Sequence, residues 1–137
     1  MASALLSGRR ADPTGYLWSG DLLLVEGEPD FIAALGIALE LLSAGAFREG
    51  EAPAVLGWTG SGGLPLDMAR RIPPGARVVI WTHPDPAGRK AAESSSARIH
   101  GPERLSLVSA PADLADCFRA DPVLTSEAVL GAWRVTT

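Results

Sequence analysis

The chain has 137 residues, 47% hydrophobic and 20% charged, with a formal net charge of −4. That length suits one domain of ordinary size with a sizeable core, and the acidic balance excludes one that wraps nucleic acid mainly through a broad basic surface. No apolar run approaches the roughly 20 residues of a membrane span, and no basic-then-apolar secretory leader opens the chain, so an intracellular, cytoplasmic protein with no membrane partner is expected.

Residues 1–14 are small, polar and irregular and read as a loose lead-in, leaving 15–137 as a single domain. The segment "GYLWSGDLLLVEGEPD" reads as a short extended piece, a Ser19-Gly20 turn and a fully buried strand at Leu22 to Val25 that runs into Glu26. Pro29 then opens a helix. Phe31, Ile32, Leu35, Leu39 and Leu42 recur at helical spacing and are expected to face the core, until Gly45 ends the run.

A second strand is expected at Ala54 to Gly57, followed by the Gly-rich "TGSGG" and a short helix in "LPLDMARRI". That loop reads as a flexible connection; its backbone N–H groups could also cradle a phosphate, but it lacks the Lys-Ser/Thr ending of a nucleotide P-loop. The third strand spans Arg77 to Thr82, and a helix runs from Pro86 to about Ile99, closed by Gly101. A strand at Arg104 to Val108, one helical turn in "APADLADCFRADP" and a helix in "TSEAVLGAW" complete the pattern. Alternating strands and helices predict an α/β fold: a compact, Rossmann-like, mainly parallel sheet of about four strands with helices on both faces. The single Cys117 has no disulfide partner and reads as a packed thiol, and His100 sits favourably at a helix C-terminus.

Ligands of open parallel sheets bind beyond the carboxyl ends of the strands. Two strands here end in acid: one runs into Glu26, Glu28 and Asp30, the other into His83 and Asp85. Neighbouring carboxylates repel one another, and a divalent cation relieves that repulsion. Mg²⁺ takes hard oxygen ligands and commonly bridges one or two carboxylates to a substrate phosphate, leaving another acid to move a proton. Asp85-Pro86 reads equally well as a helix N-cap with proline in the first turn, and Glu26-Gly27 as an ordinary strand-to-helix turn. Trp58 and Trp81 are candidates for stacking on a base, with core packing favoured for Trp81 inside its strand.

Taken together, "LLLVEGEPDFIAAL" and "VVIWTHPDPAGRKAA" resemble the Toprim domain of bacterial primases, topoisomerases and related nucleases over about residues 20 to 120. Glu26, Gly27, Asp30, Asp85 and Gly88 match its motifs, and "PADLADCF" resembles the later acidic segment of primase-type members, adding Asp113 and Asp116. For those two, capping of a short helix by Asp113 is an equally good explanation. The resemblance implies a replication or repair protein performing metal-dependent nucleotidyl transfer or phosphodiester cleavage. It implies Glu26 as acid/base residue, Asp85, His83, Asp30 and Asp116 around Mg²⁺ or Mn²⁺, and Arg89 and Lys90 meeting a phosphate of DNA or RNA held with the help of another domain or protein.

The sequence departs from that pattern at His83, which stands where the family has the first Asp of Asp-x-Asp. A neutral imidazole is a poor ligand for Mg²⁺ and acceptable to Mn²⁺ or Zn²⁺, so the site reads as an altered metal centre, as a degenerate site kept as a binding module, or as simple packing of His83 beside Trp81. A phospho-aspartyl protein with Asp85 as acceptor is the remaining rival. It is weakened because "RLSLVSAP" carries no Lys at the strand end.

Overall fold

The computed structural model describes residues 21–46, 54–59 and 62–134. The expected lead-in, the extended piece with its Ser19-Gly20 turn, and Gly60 and Ser61 of the Gly-rich loop lie outside the described residues. The elements are β1 (Asp21–Glu26), α1 (Glu28–Ser43), β2 (Ala54–Trp58), α2 (Leu66–Ala69), β3 (Arg77–Thr82), α3 (Pro86–Arg98), β4 (Arg104–Ser109), α4 (Leu114–Ala120) and α5 (Pro122–Arg134). The strands form one all-parallel sheet in the order β2-β1-β3-β4. This is a compact α/β, Rossmann-like fold, and among the described residues no helix is long and apolar enough to cross a membrane.

Strand alternation divides the core in two. Leu22, Leu24, Leu56, Val78 and Ile80 pack with Leu64, Ala69, Ile72, Ala91 and Ala92 beneath α2 and α3. Leu23, Val25, Val55, Val79 and Trp81 face the other way, against Ala34, Ile37 and Leu41 of α1, Leu114 of α4, and Val129 and Trp133 of α5. Full burial of a residue such as Ile37 contributes about 1.5–3 kcal/mol. Trp133 Nε1 also donates to the Leu22 carbonyl at 3.0 Å, which fastens the end of α5 to the central strand.

The chain turns from β1 to β2 on one side and then crosses to β3 on the other. The reversal of strand order therefore falls between β1 and β3, and the crevice of such a fold opens there. Gly27 makes the exit from β1 possible: its φ is 88°, in the region that disfavours side chains, and its N–H donates to the Trp58 carbonyl at 2.7 Å.

Several expectations need correction. Helix α1 presents Ala33, Ala34, Ile37, Ala38 and Leu41 to the sheet. Ile32, Leu39 and Leu42 are exposed, and Phe31 and Leu35 are half-buried. The small alanines let the helix lie close to the strands; Phe31 and Leu35 pack against the same core as expected, while Ile32, Leu39 and Leu42 face away from it. Trp81 is buried at 3% exposure, in line with the core packing favoured for it, whereas Trp58, at 1% exposure, offers no ring face for base stacking.

The single turn expected near residue 114 is the seven-residue α4. Helix α5 begins at Pro122, earlier than expected, because Asp121 Oδ1 accepts the Leu124 N–H at 3.0 Å. The described end of the Gly-rich loop is tied down rather than free. Ser95 Oγ accepts the Leu64 N–H at 2.8 Å, and Arg98 Nη1 donates to the carbonyls of Gly62 and Leu64 at 2.8 and 2.7 Å.

Candidate functional site

Because β1 and β3 are paired neighbours, the residues that follow them meet. Glu26 ends β1, Asp30 lies in the first turn of α1, His83 follows β3, and Asp113 immediately precedes α4. Trp81 steadies the last of these segments by donating from Nε1 to the Ala112 carbonyl at 3.4 Å.

His83 is the centre of the group. Its Nε2 lies 2.9 Å from Asp30 Oδ2, while Nδ1 lies 3.7 Å from Glu26 Oε2 and 3.9 Å from Asp113 Oδ1. Three carboxylates thus surround one imidazole. Burial works against the charged ring, but the Asp30 hydrogen bond and the charges of Asp113, Asp30 and Glu26 outweigh it and raise the imidazole pKa above 6.5. Glu26 is raised above 4.5, first by burial; His83 draws it down, and Asp85, Asp113 and Asp30 push it up by repulsion.

Asp30 is almost fully buried, at 3% exposure, and its carboxylate is already in use. Oδ1 accepts the Ala115 N–H at 2.9 Å and Oδ2 the Leu114 N–H at 3.3 Å, so this side chain caps α4 from another part of the chain. Asp113 occupies the N-cap position of α4 but makes no capping bond with its side chain. It is half as accessible again as Glu26 or more, with 44% of its side chain exposed against 24%.

Asp85 is the N-cap of α3: Oδ1 accepts the Gly88 N–H at 2.6 Å. The capping reading of this residue therefore has direct geometric support. Gly88 is needed for the same turn to close, since a Cβ there would lie 2.4 Å from His83 Cβ and 2.8 Å from the His83 carbonyl oxygen. Arg89 and Lys90 are exposed on the following turn of α3. Asp116 turns to its own helix, 3.5 Å from Arg119 Nη1, and the cluster takes Asp113 in its place.

Cys117 is half-buried, 3.6 Å from the Ala112 carbonyl, with its thiol pKa raised by burial; it reads as a packing residue.

Asp30 accepts two backbone N–H groups and lies 2.9 Å from His83 Nε2, and Asp85 accepts a cap bond, so both carboxylates are already engaged within the protein. Among the described residues, no group of three or more His, Cys, Asp or Glu side chains is disposed to hold a metal ion. On the other side of the ring, His83 Nδ1 faces Glu26 and Asp113. Comparison with protein-family profiles, curated proteins and solved structures finds no match to this chain.

Proposed function

We propose that the chain is a Toprim-like module of a nucleic-acid-processing protein, of the replication or repair kind, in which the His83 imidazolium takes the position among the acids that a divalent cation would otherwise hold. It engages phosphates of DNA or RNA, or replication partners, as a binding module. The observation that carries this reading is His83 set among Asp30, Glu26 and Asp113, with its pKa raised by them. A protonated ring offsets the mutual repulsion of the carboxylates without a metal. Arg89 and Lys90, exposed and close to His83 along the chain, are the basic groups the reading assigns to a phosphate.

A second reading keeps metal-dependent nucleotidyl transfer or phosphodiester cleavage, and the accessible Nδ1 side of His83 favours it. Glu26, Asp113 and His83 would hold Mn²⁺, which would draw charge from phosphate oxygens. Glu26, whose pKa burial raises above that of an ordinary glutamate, is then the residue suited to move a proton.

Calorimetric titration of wild type, His83→Asp and Glu26→Gln with Mg²⁺ and Mn²⁺, beside binding of single-stranded DNA and RNA oligonucleotides, separates the two. Oligonucleotide binding with no metal uptake by wild type, and Mg²⁺ uptake gained by His83→Asp, supports the module with an internal cation. Mn²⁺ uptake by wild type that is lost in Glu26→Gln supports the enzyme. A chain that binds neither metal nor oligonucleotide, and gains nothing from His83→Asp, overturns both.

A further inference from the structure

The contacts of Asp30 carry an inference about His83 that residue spacing does not. The Asp30 carboxylate is an acceptor-only group, and its other contacts, the Leu114 and Ala115 N–H groups, are donors. His83 Nε2, 2.9 Å from Oδ2, must meet it with a hydrogen. The nearest carboxylate oxygens to Nδ1 are at 3.7 and 3.9 Å, beyond hydrogen-bond reach, so nothing there competes for the opposite tautomer.

We infer that Asp30 is a positioning residue that locks His83 in the Nε2–H tautomer, so that Nδ1 is the working nitrogen of the cluster, facing Glu26 and Asp113. The resemblance implied a metal ligand at residue 30; the geometry gives it a different task. An imidazole is oriented by the hydrogen bond its other nitrogen makes. Here the orienting carboxylate is itself held by the first turn of α4, so the ring, the carboxylate and the helix form one unit. A proton or a borderline cation such as Mn²⁺ therefore meets His83 at Nδ1. That chemical consequence rests on the function proposed above; the tautomer does not.

The test is long-range ¹H–¹⁵N correlation of the His83 ring in the full chain without ligand, recorded on the alkaline side of its titration, in wild type and Asp30→Asn. Wild type is expected to show a protonated Nε2 and a bare Nδ1. In Asp30→Asn the retained oxygen can still accept the Ala115 N–H, while the new amide donates to Nε2 and moves the ring proton to Nδ1. A wild-type ring protonated at Nδ1, or averaged between the two forms, overturns the inference. So does an Asp30→Asn chain that keeps the wild-type pattern. If that variant fails to fold, the wild-type spectrum together with Asp113→Asn still decides, because removing the Nδ1-side charge must leave the tautomer unchanged. Metal and oligonucleotide titrations succeed or fail independently of this spectrum, so the two readings can be overturned separately.

Discussion

Replacing Gly88 with alanine adds one methyl group, and the surroundings fix the sign of the effect. The new carbon would lie 2.4 Å from His83 Cβ and 2.8 Å from the His83 carbonyl oxygen, with Asp85 Oδ1 at 3.1 Å. Carbon atoms rest about 3.5–4.0 Å apart, so the first turn of α3 must withdraw from His83 by about 1 Å. The first two obstacles are a Cβ and a backbone oxygen, which cannot rotate aside.

Overpacking of this kind costs about 1–3 kcal/mol, against a gain of at most about 1 kcal/mol from exchanging glycine for alanine in a helix. A net loss of about 1–2 kcal/mol is expected, or a fall in Tm of roughly 4–8 °C. Gly131→Ala in α5 is the matched control, since a Cβ there meets nothing within 4 Å and the helix gain, up to about 1 kcal/mol, stands alone. Urea unfolding of both variants reads the difference. A Gly88→Ala chain as stable as wild type, or a shift in the same direction for both variants, would refute the close approach of α3 to His83.

Asp30→Ala removes the cap of α4 and the nearest counter-charge of His83 at one stroke, and is expected to cost about 3 kcal/mol in urea unfolding; a loss below about 1 kcal/mol would show that the carboxylate is dispensable. Stability should fall with rising pH through two windows. His83, raised above 6.5, binds its proton more tightly when folded, so its contribution is complete below about 6.5 and disappears as pH climbs through the folded value. Glu26, raised above 4.5, acts with the same sign from about 4.5 upward. Urea midpoints should therefore decline above pH 6.5 in wild type and decline less in His83→Gln; equal slopes would contradict the linkage. On α1, Leu39→Ser should change stability by less than about 0.5 kcal/mol, whereas Ile37→Ala should cost about 2–4 kcal/mol, and a reversal would return the helix to the orientation read from its leucines.

The strands were legible because their apolar runs are short and bounded by Gly, Pro and acid; β3 falls on Arg77–Thr82 as read. Helix α1 misled for a physical reason. The large side chains at 32, 39 and 42 belong to the more obvious stripe and face outward, because a helix lying close to a sheet favours alanine, and positions 33, 34 and 38 supply it. The Asp-Pro signature that marked the start of α3 recurs at Asp121-Pro122 and would have placed the start of α5. Convergence of Glu26 and His83 followed from the adjacency of their strands, which sequence alone left open. The choice of Asp113 over Asp116, and the partners of Asp30, depend on how α4 docks, and no local pattern encodes that.

The bonds that Asp30 makes join residues 53, 84 and 85 positions apart along the chain. Closing contacts of such sequence separation is slow, and neither His83 nor α4 can be oriented by it until the last third of the chain is in place. The acidic cluster is thus assembled late. A chain growing from its N-terminus acquires the strand bearing Glu26 and the strand before His83 well before it acquires the helix that holds Asp30 still. A nascent or truncated chain ending before Leu114 would carry Glu26, Asp30, His83 and Asp85 without the α4 N–H groups that hold the Asp30 carboxylate, so the complete cluster marks a finished fold.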